Sequence, residues 1–220
     1  LMKQHLISHW KNADNSKSIS QLFSVLSSTM QPKCPSSEVL AKALEMVDFQ
    51  TFNQFCHTIF KQINLDVLVH GNWREQDAVE IHSIIEQAFN GQYHQKHQVK
   101  IPVLDIKDQG SIQYPLHLPE HDYAGVIYYP MKERSLSTVA KTMIASQILS
   151  PQFFHQMRTE KQYGYLVGVG FVPINRYPGI AFYIQSPNFE ADHLIAAMDE
   201  FINECHLVVE SMPEEDWQHL

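Results

Sequence analysis

Cysteine is scarce in this chain: Cys34, Cys56 and Cys205 are the only three among 220 residues, and they lie far apart. No Cys-x-x-Cys pair and no even disulfide framework is present, so neither a redox dithiol nor a cysteine-rich zinc module is expected, and the three thiols read as small buried apolar groups. Glycine and proline are sparse as well, at 8 and 11 residues. With no apolar run near the ~20 residues of a membrane span, this composition argues against a disordered tail, a collagen-like fibre and a transmembrane protein. Basic charge is also short, 16 Lys and Arg against 24 Asp and Glu for a net charge of -8. Binding a nucleic-acid backbone needs clustered cations to displace counterions, so nucleic acid is not an expected partner.

What the chain does hold is apolar substance. Hydrophobic residues make up 44% of it, enough to bury the core of one large or two small domains. Helical spacing is weak over residues 5–30 and clear over 36–46, where Leu40, Ala43, Leu44 and Val47 share one side. Asp48 is placed to cap a further helix carrying Phe52, Phe55, Ile59 and Phe60. Leu65 to Val69 reads as a buried strand stopped by Gly71-Asn72, and residues 74–89 as an amphipathic helix with Ala78, Ile81, Ile85 and Phe89 as its stripe. The polar, His-rich stretch 90–98 reads as a linker. Beyond it, Ser111 to Leu116 and Tyr123 to Tyr129 read as neighbouring strands, and Leu136 to Ile148 as a helix. Ser150-Pro151 gives the start signal of a second, short helix, with Gly164 as its left-handed exit. Two strands, 165–172 and 180–185, and a long amphipathic helix from Leu194 to Val209 complete the pattern. Strands joined by hairpins and followed by helices predict an α+β fold, a mostly antiparallel sheet with helices packed on one face. The closing Pro213-Glu214-Glu215-Asp216-Trp217 reads as the charged first turn of a helix, and the expectation is a piece of a longer polypeptide.

Two strings invite a chemical reading. His117-Leu118-Pro119-Glu120-His121 has the order of an inverted zinc motif, which works when a helix places two imidazoles and a carboxylate on one face. Pro119 breaks such a helix, Pro115 precedes it, and no third ligand stands out downstream, so the segment reads as a loop between strands and no metal is assigned to this chain. The other histidines are scattered. The chain has no Gly-x-Ser-x-Gly elbow and no Gly-rich phosphate loop. The second string is Met157-Arg158-Thr159-Glu160-Lys161-Gln162-Tyr163-Gly164-Tyr165. Arg158 and Gln162 are four apart, and a reversal at Gly164 brings Tyr165 back beside the helix end. A guanidinium fork and a phenolic donor together suit a carbonyl or carboxylate guest. Taken by themselves the residues favour an Arg paired with a surface acid and a Tyr packed on the sheet.

Phe153 to Tyr165, followed by Val167-Gly168-Val169-Gly170 and Phe182-Tyr183-Ile184-Gln185-Ser186, resembles the fourth homologous unit of the pitrilysin/insulysin (insulinase) family of zinc peptidases. Val69-His70-Gly71-Asn72 and the helix after it resemble the end of the third unit. The resemblance implies residues 1–96 as the C-terminal part of a third unit with linker, and 97–220 as a fourth unit incomplete at its C-terminus. It implies a zinc metallo-endopeptidase of which this is the C-terminal, non-metal part, with zinc held by the N-terminal half of the same polypeptide and peptide as substrate. Arg158 and Tyr165 are the site residues it carries over: both bind substrate, and Tyr165 is catalytic, stabilising the tetrahedral intermediate. This chain by itself is then expected to bind no zinc and to be inactive. The rival expectation is a non-enzymatic scaffold or assembly subunit of the same fold, in which Arg158 and Tyr165 only pack.

Overall fold

A computed structural model describes residues 1–59, 61, 67–89, 102–106, 110–117 and 122–218. The chain divides into two compact units, one of residues 1–40 with 101–220, the other of residues 41–100.

The larger unit is built on a three-stranded antiparallel sheet of β1 (Tyr123–Pro130), β2 (Leu166–Phe171) and β3 (Gly179–Ser186), in the order β1-β3-β2. Because side chains alternate along a strand, one face of the sheet collects Val167, Val169, Ile180, Phe182 and Ile184. Two helices cover that face: α6 (Leu136–Phe154) through Leu149 and Phe153, and α7 (Ala191–Glu210) through Leu194, Ala197, Met198 and Phe201. Phe153 is fully buried and meets Phe182 and Phe201 edge-on, at centroid distances of 5.6 and 5.1 Å. Such pairs add to the ordinary gain from burying an aromatic side chain. The α+β expectation holds, and α7 runs over the stretch its apolar spacing marked.

The opposite face is covered too. The N-terminal segment, weakly periodic in sequence, forms α1 (Met2–Lys11), a 3₁₀ turn (Asn12–Asn15) and α2 (Ser18–Met30). Phe23 of α2 sets its ring edge-on to Tyr183, 5.7 Å between centroids. Tyr183 points away from the α6–α7 side, so α2 makes a third layer, and the sheet is not limited to helices on one face. The C-terminus of α2 receives a hydrogen bond from the Leu104 N–H to the Met30 carbonyl, 2.8 Å.

Several local expectations are corrected. Ser111 to Leu116 forms no strand and is exposed, as is Tyr114 at 62%; alternation alone does not make a strand. Ser150-Pro151 does not begin a new helix. Pro151 lies inside α6, which continues without a break because the stripe Leu149, Phe153 and Met157 keeps packing into the core. The loop between β2 and β3 narrows to a two-residue turn in which Ile174 and Tyr177 exchange both backbone hydrogen bonds, with Asn175 and Arg176 at φ 47° and 68°. The charged turn near the C-terminus does form a short helix, α8 (Glu214–Gln218).

In the smaller unit, α3 (Ser37–Met46) enters from residues of the larger one, followed by α4 (Phe49–Thr58) and α5 (Glu75–Phe89). Asp48 caps α4 as its position predicts, its Oδ1 accepting the Thr51 N–H at 2.7 Å. Ala78, Ile81, Ile85 and Phe89 form the half-buried side of α5. Phe52, Phe55 and Cys56 are exposed, so Cys56 is not the buried thiol expected. Val67 to Val69 lies in no strand, with Leu68 at 91% exposure, so this part of the expected buried strand does not form. Leu65, Asp66, Phe60 and the linker 90–98 lie outside the described residues. Gly71 adopts φ +123°, a conformation that L side chains rarely take, where the sequence pattern stops.

Candidate functional site

The string from Met157 to Tyr165 leaves α6 through a wide turn. His155–Glu160 is π-helical, and the Lys161 N–H reaches back five residues to the Gln156 carbonyl at 3.0 Å. Single π turns inside helices recur at functional positions because they shift side chains off the ordinary helical rows. Here the shift lets Met157 stay fully buried while Arg158 is exposed. Gln162, expected on the helical face below Arg158, instead carries the left-handed exit at φ 53°.

Gly164 is therefore not the left-handed residue, and the reason for glycine there is distance. A Cβ at Gly164 would lie 2.3 Å from the Gln185 carbonyl oxygen, 2.9 Å from Ile184 Cγ2 and 3.0 Å from the Gln185 carbonyl carbon. These atoms belong to the central strand, which has partners on both edges and no room to retreat. Gly164→Ala in the full-length protein is expected to destabilise it by about 1–3 kcal/mol, the usual cost of overpacking, read as a lowered urea midpoint at unchanged slope. An unchanged midpoint would show that the turn moves freely.

The close approach at Gly164 delivers Tyr165 to the end of β3, where its N–H donates to the Gln185 carbonyl at 3.2 Å. Its ring is 44% exposed. The Arg158 guanidinium donates through Nη1 to the Tyr165 carbonyl and lies over the Phe154 ring, 5.2 Å from the centroid. Among the described residues Arg158 makes no ion pair, and four of its five N–H groups have no protein partner there. The structure thus brings Arg158 and Tyr165 together.

Two further residues enter that the sequence did not single out. The Tyr165 hydroxyl donates to Asp122 Oδ2 at 2.6 Å and accepts from Gln185 Nε2 at 2.6 Å; the same Nε2 lies 3.2 Å from Asp122 Oδ2. Gln185 is 3% exposed, and its Oε1 accepts the Ile19 N–H at 3.1 Å. Hydrogen bonding to the Asp122 carboxylate is the main influence that raises the Tyr165 pKa above its ordinary value, with desolvation and the carboxylate charge adding to it and the Gln185 donor opposing. The phenol is thereby kept protonated, and so able to donate. A signal for Gln185 existed: it is the polar residue at the end of Ile180 to Ile184, where a buried amide must find partners. Asp122 had none, since it precedes β1 by one residue.

His117 is exposed and lies in no helix or strand, while Leu118 to His121 fall outside the described residues. Among the described residues no three His, Cys, Asp or Glu side chains converge as metal ligands would.

Residues 144–220 match the family described as PQQ synthase PqqF-like, C-terminal lobe domain 4. Human insulin-degrading enzyme is 27% identical over 185 residues, covering 81% of this chain and 18% of that protein. The chain is similar in sequence to peptidases of the insulinase family. Its similarity lies in their C-terminal region. A Schizosaccharomyces pombe protein whose name carries the words zinc protease is 24% identical over 220 residues, covering 93% of this chain and 22% of its own length. The crystal structure of pitrilysin shares the fold, with a TM-score of 0.71 at 16% identity over 99% of this chain and 23% of that one. The chain spans about a fifth of the length of the curated proteins it matches.

Proposed function

We propose that the chain is the C-terminal, non-metal part of a zinc metallo-endopeptidase, forming chamber wall and presenting Arg158 and Tyr165 to a peptide held against the N-terminal half of the same polypeptide. In this proposal residues 1–96 complete a third homologous unit and 97–220 form the fourth, zinc is held outside this chain, and the chain alone cleaves nothing. The zinc supplies the activated water and polarises the scissile carbonyl when bound. The contribution of this chain is hydrogen bonding: guanidinium N–H groups for peptide carbonyls and one neutral phenolic donor for the oxygen that gains charge.

The observation that carries the reading is the exposed Arg158–Tyr165 pair, joined through the Tyr165 carbonyl and kept off the core by the π turn. Its test is Arg158→Ala in the full-length protein. The expected result is a rise in KM of about ten-fold or more, the loss of one or two charge-assisted hydrogen bonds, with the unfolding midpoint little changed because the side chain is exposed. The scaffold alternative draws on the same network, since the Tyr165 proton is already shared with Asp122. It requires that the full-length wild-type protein cleave no peptide at all.

A further inference from the structure

The polar groups around the Tyr165 hydroxyl form a chain of fixed direction, and we infer that Gln185 and Asp122 are positioning residues that set where the Tyr165 hydroxyl aims its proton. The inference rests on the functional reading above and extends it to residues outside the string that carries the resemblance.

The direction begins at α2. Only a carbonyl oxygen can accept the Ile19 N–H, so the buried Gln185 amide must turn its Oε1 to α2 and its Nε2 to Tyr165. The phenolic oxygen then accepts from Gln185, and its one proton points elsewhere, to Asp122 Oδ2. Asp122 is in turn pinned by its main chain, whose carbonyl accepts the Ser18 hydroxyl at 2.6 Å. Ser18 and Ile19 are adjacent in the first turn of α2, so one helix end holds both partners of the hydroxyl. Arg158, in the same string, is bonded to the Tyr165 carbonyl and fixes the backbone beneath the ring. When a substrate oxygen arrives, rotation about the C–O bond swings the proton from Asp122 to it while Gln185 keeps hold of the oxygen. Neither residue touches the guest. Each acts through Tyr165.

Opposite electrostatic effects on one phenol give a test that mere packing does not pass. Gln185 stabilises the phenolate form by donating to it, and Asp122 destabilises it. In full-length protein labelled with fluorotyrosine, fluorine NMR follows the Tyr165 titration, the resonance being assigned by its loss in Tyr165→Phe. Asp122→Asn is expected to lower the Tyr165 pKa and Gln185→Met to raise it. Both are expected to lower kcat by about ten-fold, with KM near wild type, since misdirecting a positioned group costs chemistry more than binding. Should Gln185→Met fold poorly, the conservative Asp122→Asn carries the test on its own. Shifts that are absent or equal in sign overturn the inference. So do opposed shifts with wild-type kcat in both variants while Tyr165→Phe is slow. Wild-type turnover of Tyr165→Phe itself overturns the functional reading and the inference with it, and is told apart from those outcomes by that single variant.

Discussion

Full-length protein carrying Tyr165→Phe should turn over substrate about 10²–10³ times more slowly than wild type, the usual cost of deleting one donor to a developing oxyanion. KM should move little, because the hydroxyl is used in the transition state rather than in the ground-state complex. Stability should also move little, and the structure says why. The Phe ring keeps the half-exposed position of the phenol, and the buried Gln185 Nε2 loses one of its two partners but retains Asp122 Oδ2 at 3.2 Å. The variant therefore separates chemistry from packing. Steady-state kinetics beside a urea titration checks it, and wild-type kcat would remove Tyr165 from the catalytic machinery.

The largest expected effect on stability belongs to Phe153. It is fully buried, its edge-on contacts with Phe182 and Phe201 bridge α6 to both the sheet and α7, and Met157 lies one turn beyond it, equally buried. Phe153→Ala removes the side chain and leaves a cavity that three tightly packed layers cannot close, at a cost of about 3–5 kcal/mol. Against a typical total of ~5–15 kcal/mol, that is a large share of what holds a domain together. The measurement is the urea midpoint of the full-length protein, with Phe153→Leu expected to recover most of the loss. A drop under about 1 kcal/mol would mean that α6 repacks, and that the aromatic trio does not anchor it.

Where side chains meet one neighbour at a regular interval, the fold was legible in the sequence. The stripe Leu194, Met198 and Phe201 specifies α7, Asp48 specifies its cap, and Ala78, Ile81, Ile85 and Phe89 specify the covered side of α5. Legibility fails where the outcome depends on a distant partner. Residues 111–116 alternate like a strand but pair with no strand of the sheet. Ser150-Pro151 carries a local signal for a new helix start that the burial of Phe153 and Met157 overrides. Gly164 reads as a turn residue, yet it is fixed by a carbonyl twenty-one positions away. The candidate site divides the same way: Arg158 and Tyr165 stand in one string, whereas Asp122 and Gln185 join them only through the register of β3 and the placement of α2.

The bond from Ile19 to the Gln185 side chain joins positions 166 apart, and this bears on the order in which the lobe is made. A ribosome adding ~5–20 residues each second takes about 8–33 s to travel from one to the other. Through that interval α2 is a helix of 13 residues, marginal by itself in water, and Phe23 has no Tyr183 to rest on. Contacts of such sequence separation form late, since loop closure must precede them. The helix that steadies the hydroxyl is thus synthesised well before the strand that seats it, and holds the Gln185 side chain only once that strand has emerged.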